Sequence, residues 1–151
     1  MESSAPTRVL VVANRTAATP DLLQAVRDRA ARGPCSFTLL VPNRAHGLHK
    51  LMDPEDVAPA EAEAVLAAAL PAMREAVGAE VDGMVGDPAP LTAIQDAVYG
   101  KGFDEIIIST LPHRLSRWLH LDLPSKAGGL GLPVTTVTAR EHAPAVSAAA
   151  G

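Results

Sequence analysis

Residues 104–127 read DEIIISTLPHRLSRWLHLDLPSKA. Asp104 to Thr110 carries three consecutive isoleucines, the continuous apolar pattern of a strand buried on both faces. It passes without a break into a segment rich in Pro, His, Arg and Trp. In an open parallel α/β sheet the loop after such a strand is where ligands bind. Nucleotide-binding sheets usually fill that loop with glycines, whose backbone approaches phosphate closely. Here no glycine lies between Gly102 and Gly128. The stretch implies a nucleotide-type fold and argues against the usual phosphate contact.

Outward from this stretch, strand and helix patterns alternate. Arg8 to Ala13 (RVLVVA) and Ser36 to Val41 (SFTLLV) are apolar runs of strand length. Glu80 to Val85 (EVDGMV) and Pro133 to Ala139 (PVTTVTA) complete a set of five with the run ending at Thr110. Pro20 opens a helix in which Leu22, Leu23, Val26 and Ala30 recur at helical spacing until Gly33. Asn43 to Pro59 is a long connection broken by Gly47, Pro54 and Pro59. A second helix is expected over about Ala60 to Val77, kinked or divided by Pro71. Asp87 is the expected N-cap of a third, with Leu91, Ile94, Ala97 and Val98 on one face, ending near Gly100 and Gly102. Asp122 to Ala127 reads as a short helix closed by Gly128 and Gly129.

Strands alternating with helices require a parallel sheet with right-handed crossovers. The expected fold is a single-domain α/β protein: an open five-stranded sheet of order 3-2-1-4-5 with helices on both faces, spanning residues 8–139. Residues 1–7 form an expected flexible tail, and residues 140–151 a disordered one. This order sets the first and fourth strands side by side. The loops Asn14 to Thr19 and Thr110 to Asp122 then face each other across the crevice where ligands of such sheets bind.

Composition narrows the function classes. The chain has 151 residues, enough for one domain with a proper core. Apolar residues make up 48% and aromatics 3%, so core volume must come from Val, Ile and Leu beneath alanine-faced helices. A net charge of −4 lacks the basic field of a nucleic-acid binder. No apolar run reaches the length of a membrane span, and MESSAPTR lacks the pattern of a secretory signal, so a cytoplasmic protein without a membrane partner is expected. A single cysteine, Cys35, excludes an internal disulfide and reads as a small buried hydrophobe before a strand.

The chain resembles the universal stress protein family. RVLVVANRTA, VGDPAPLTAIQDAV, FDEIIISTLPHRLSRWLHLDLPSKA and LPVTTVTA carry the likeness, which covers about Arg8 to Ala139. ATP-binding members commonly end the first strand with Asp and place Ser or Thr two residues later; Asn14 and Thr16 hold those positions here. The family's phosphate loop runs Gly, two residues, Gly, nine residues, then Gly followed by Ser or Thr. Its three glycines fall on Ile108, Leu111 and Leu121, and its hydroxyl residue on Asp122. Leu does not cheaply replace a glycine that lets backbone approach a ligand. Asp122 at the start of a helix is expected to satisfy that helix's own N–H groups in place of a phosphate and to repel a triphosphate, the alternative role being that of an active-site acid. The resemblance implies a homodimer through the fifth strand and stress-linked regulation or binding of a protein partner. No cofactor is expected, ATP and AMP being disfavoured by the altered loop.

An alternative reading keeps the crevice as a site for a nucleotide or other small anion. Its candidate residues are Asn14, Thr16, Gly86, Ser109, Thr110, His113, Arg114, Arg117 and Asp122. Arginine clamps phosphate or carboxylate with parallel hydrogen bonds. Arg114 and Arg117 equally fit ion pairs with Asp104, Asp122 or a partner's carboxylate that lock the loop. Trp118, among Leu115, Leu119 and Leu121, reads as packing, and His120 beside it as a structural or a pH-sensitive residue. His46 and His49, followed by Asp53, Glu55 and Asp56, lack a third ligand fixed by spacing, so a solvated lid is expected and no metal. Ser109 near His113 suggests a nucleophile with a base, yet strand-end hydroxyls usually bond backbone, and no enzyme is expected.

Overall fold

The computed structural model describes residues 6–14, 16–43, 59–111, 118 and 122–139. Five strands form one sheet: β1 (Thr7–Val12), β2 (Cys35–Pro42), β3 (Val81–Gly86), β4 (Glu105–Thr110) and β5 (Val134–Thr138). The helices are α1 (Pro20–Ala31), α2 (Pro59–Val77), α3 (Pro90–Gly100) and α4 (Leu123–Gly128). The strand order is β3-β2-β1-β4-β5 with every neighbouring pair parallel, as the alternation of elements implied. Val12 lies opposite Leu40 on one side and Ile108 on the other, so β1, β2 and β4 end at a common edge.

Strand alternation divides the core in two. Val9, Val11 and Ala13 pack with Phe37, Leu39, Ile107, Leu22, Val26 and Met73 on the α1 and α2 side. Leu10 and Val12 pack with Leu40, Ile106, Ile108, Ile94, Ala97 and Leu123 on the α3 and α4 side. Trp118 belongs to this second core and is 2% exposed, which bears out its expected packing role. It supplies the large apolar volume that a chain so poor in aromatics otherwise lacks. Ala93, Ala97 and Ala127 are buried against the sheet, so the helices approach it closely.

Helix ends depart from expectation where the backbone controls them. Thr19 caps α1: its Oγ1 accepts the Leu22 N–H at 3.5 Å, and Pro20 opens the helix without needing a donor. Pro59, expected as a breaker, instead begins α2. That helix runs through Pro71 without the division that was one of the two expected outcomes, a kink being the other. Pro71 is exposed, while Ala69 and Met73 beside it are buried, so core packing holds the helix across the missing hydrogen bond.

Asp87 is not the N-cap of α3. Its Oδ1 accepts the Ala89 N–H at 2.9 Å in a two-residue Asx turn, and the helix starts at Pro90 with Ala89 in the cap position. After α4, Gly129 is right-handed, and the left-handed turn falls on Gly131 at φ 87°. Cys35 is the first residue of β2 and only half-buried. Burial pushes its thiol above the ordinary value, against the pull of Arg29, which keeps the sulfur a protonated thiol. Among the described residues no helix is long and apolar enough to cross a membrane. Among them, too, no group of three or more His, Cys, Asp or Glu side chains is placed to hold a metal ion.

Candidate functional site

The carboxyl ends of β1 and β4 meet as the sheet order requires. β1 passes into a tight turn in which the Ala17 N–H donates to the Asn14 carbonyl at 3.0 Å. A second turn follows, the Thr19 N–H and hydroxyl both donating to the Thr16 carbonyl, at 3.1 and 2.9 Å. These turns bring Thr16 back beneath the end of β4. Ser109 Oγ donates to Thr16 Oγ1 at 2.7 Å, and Thr16 Oγ1 donates to the Ser109 carbonyl at 3.2 Å. Two residues 93 positions apart thus form a closed hydroxyl pair between the strand ends.

Asn14, Thr16, Ser109 and Thr110 are all buried, each at most 3% exposed. The described walls of the crevice are therefore amide and hydroxyl groups without formal charge. The proton of Ser109 is committed to another hydroxyl. Thr110 differs: its Oγ1 is buried with no hydrogen-bond partner among the described residues. Such an orphan costs about 1–3 kcal/mol unless something else satisfies it.

Gly86 ends β3, but its lack of a side chain has a packing cause. A Cβ there would lie 2.8 Å from Leu40 Cδ1 and 2.9 Å from Ala93 Cβ. Glycine is needed so that α3 can approach the sheet, whatever binds nearby.

Asp122 stands at the cap position of α4, as expected, but does not cap it. It is left-handed, at φ 58° and ψ 39°, is exposed, and makes no side-chain capping bond. Two physical causes account for this. A capping side chain reaches the helix from extended backbone, not from the left-handed region. The second helical position is Pro124, which has no N–H to offer. The expected satisfaction of the helix N–H groups by this carboxylate is thus corrected; what remains is an exposed acidic group there.

Ile108, at the first position where the family motif has glycine, is a fully buried core residue of β4, and Leu111 is half-buried just after it. Asp104 Oδ2 accepts the Arg8 backbone N–H at 2.9 Å, while its expected arginine partners lie outside the described residues. His113, Arg114, Arg117, His120 and Leu121 lie outside the described residues, as do His46, His49, Asp53, Glu55 and Asp56.

One site residue was missed. Asn43 follows β2 at the same sheet edge, with its N–H donating to the Gly86 carbonyl at 2.9 Å and its Oδ1 buried without a partner among the described residues. A polar residue directly after a strand-ending proline was the available signal.

The hydroxyl pair makes an asymmetric prediction. Ser109→Ala removes one bond and leaves the Thr16 hydroxyl its carbonyl, at a cost of about 1 kcal/mol. Thr16→Val leaves the Ser109 O–H buried with no acceptor and is expected to cost more, about 2–3 kcal/mol. Chemical denaturation of both variants checks the order; equal costs would contradict the direction assigned to the Ser109 hydrogen bond.

The architecture is the class of open, doubly wound parallel α/β sheets. Within it the chain has the fold of the universal stress proteins. It superimposes on a universal stress protein from Archaeoglobus fulgidus with a TM-score of 0.60 at 18% identity, over 87% of this chain and 93% of that one. The universal stress protein from the same organism in complex with dAMP gives 0.60 at 18% identity, over 88% and 98%. A universal stress protein in complex with cAMP gives 0.53 at 15% identity, over 92% and 99%. No protein-family model matches the chain, and no curated protein matches it.

Proposed function

We propose that this chain is a cytoplasmic regulatory protein of the universal stress type, acting through protein contacts and not by catalysis, that does not bind ATP in the usual family mode. Two observations together carry the reading: Ile108 is locked in the core, and Asp122 at the start of α4 is exposed and makes no capping bond. Backbone of a buried β4 isoleucine offers no cradle, and an exposed carboxylate beside the expected phosphate position repels a polyanion. β5 is the natural surface for a second copy, since it pairs with β4 on one side only and stands at the edge of the sheet. Light scattering is expected to give a dimer mass, and Thr136→Pro, which removes an N–H in mid-strand, a monomer; a monomeric parent would contradict the dimer.

A second reading is favoured by Thr110 and Asn43, whose buried oxygens lack partners among the described residues. They suit a ligand that donates or shares hydrogen bonds there, and the sequence offers Arg114, Arg117 and His113 as candidates for its anionic group. Two of the structural relatives are complexes with dAMP and cAMP. Titration with AMP and cyclic AMP, followed by NMR, separates the readings. Saturable binding lost in both Thr110→Val and Arg117→Ala supports a modified nucleotide site, and absence of binding supports the first reading.

A further inference from the structure

At the opposite end of the sheet, where β4 and β5 begin, the surface carries an open groove of about 440 Å³ lined by Arg29, Arg32, Glu105, Pro133 and Thr135. The groove is built on an ion pair. Arg29 Nε donates to both carboxylate oxygens of Glu105, at 3.0 and 3.1 Å, and the two side chains are only 15% and 13% exposed. This contact ties the end of α1 to the start of β4 and fixes the guanidinium plane. Among the described residues the terminal amino groups of Arg29 have no acceptor, so its donors are held in place and unused.

Arg32, one turn further along α1, is exposed and has no carboxylate within ion-pair distance among the described residues. Two guanidinium groups and one carboxylate leave a local charge of about +1. A helix carboxyl end normally disfavours an anion, but here two of its last carbonyls are occupied. The Arg29 carbonyl accepts the Arg32 N–H at 3.0 Å and lies 3.9 Å from the Cys35 thiol, and the Ala30 carbonyl accepts the Gly33 N–H at 3.4 Å.

We infer that this groove is a second ligand site, for a small monocarboxylate bearing an adjacent hydroxyl or amino group. The ligand carboxylate sits between Arg32 and the terminal amino groups of Arg29, where paired N–H donors match its two oxygens. The adjacent hydroxyl or ammonium donates to Glu105, whose oxygens retain lone pairs, or to the Thr135 hydroxyl. One net positive charge balances one carboxylate, and the Glu105 carboxylate repels a dianion such as phosphate. The groove and the crevice lie at opposite ends of β4, so this site is separate from the crevice, although Thr135 belongs to β5, the edge proposed above for a second copy.

NMR titration of the full chain with L-lactate, acetate and inorganic phosphate tests it. Saturable shifts are expected at the amides of Arg29, Arg32, Cys35 and Thr135, with lactate the tightest of the three. Arg32→Ala, an exposed substitution, is expected to weaken lactate by about tenfold or more while leaving the unfolding midpoint in place. Thr135→Val, which removes the hydroxyl alone, is expected to narrow the gap between lactate and acetate. Absence of saturable shifts, shifts centred on Asn14 and Thr16, or undiminished binding by Arg32→Ala overturns the site. Phosphate binding tighter than lactate overturns the ligand class.

Discussion

Trp118→Ala is expected to lower the stability of the protein by about 3–5 kcal/mol, the range for removing a buried aromatic from a packed core. Trp118 is among the largest fully buried side chains, in a core otherwise made of Leu, Ile, Val and Ala. The core it belongs to is built from β1, β2, β4, α3 and α4, so several elements would have to shift together to refill the space. With a total stability of about 5–15 kcal/mol expected for a domain, the variant stands near the edge of folding. Trp118→Phe, which leaves a smaller void, is expected to lose less than half as much. Urea unfolding followed by far-ultraviolet circular dichroism reads both, since the only tryptophan is the residue replaced. A loss below about 1 kcal/mol for Trp118→Ala would show that the space around it collapses freely and is not a packed core.

The second large effect is at Gly86, and its meaning depends on comparison with Gly83. In both cases an added Cβ meets atoms closer than 3.0 Å. At Gly83 the obstacles are Leu66 Cδ1 at 2.8 Å and Leu70 Cδ1 at 2.9 Å, the far ends of side chains that can change rotamer. At Gly86 one obstacle is Ala93 Cβ at 2.9 Å, which is fixed to the α3 backbone. The helix itself must move, at about 1–3 kcal/mol. Gly83→Ala also gains about 0.4–1 kcal/mol from a less flexible unfolded chain, which brings it close to neutral. Gly86→Ala should therefore unfold at clearly lower urea than Gly83→Ala. The reverse order would mean that α3 does not press on β3, and Gly86 would again need a reason connected with a ligand.

The strands were legible because their chemistry is local. Runs such as Val9–Val12 and Ile106–Ile108 are apolar at every position, which only a strand buried on both faces requires. The alternation of such runs with helices leaves few sheet orders, and the observed one follows. Helix caps were less legible. Asp87 and Asp122 have the right residue type, but capping depends on where the helix begins and on the backbone of the cap. Asp87 lies too early, three residues before Pro90, and Asp122 is left-handed with a proline two residues later. Pro124 was visible in the sequence and removes a donor that a cap would use.

The site was legible as a place and not as an arrangement. Asn14, Thr16, Ser109 and Thr110 were recognised as the residues at two facing strand ends. That Ser109 and Thr16 satisfy each other, while Thr110 is left without a partner among the described residues, depends on the register of β1 against β4. The Arg29, Arg32 and Glu105 groove was invisible for the same reason. Its residues are 76 positions apart and meet only because α1 returns to the start of β4.

Calorimetric titration of the full chain with Mg-ATP tests the central claim most directly. The account predicts no saturable heat up to millimolar nucleotide, because Ile108 is fixed in the core and the exposed Asp122 carboxylate stands at the start of α4 without a capping bond. A saturable one-to-one isotherm at micromolar ATP, strengthened by Asp122→Ser, would contradict it and return the chain to the ATP-binding members of its fold.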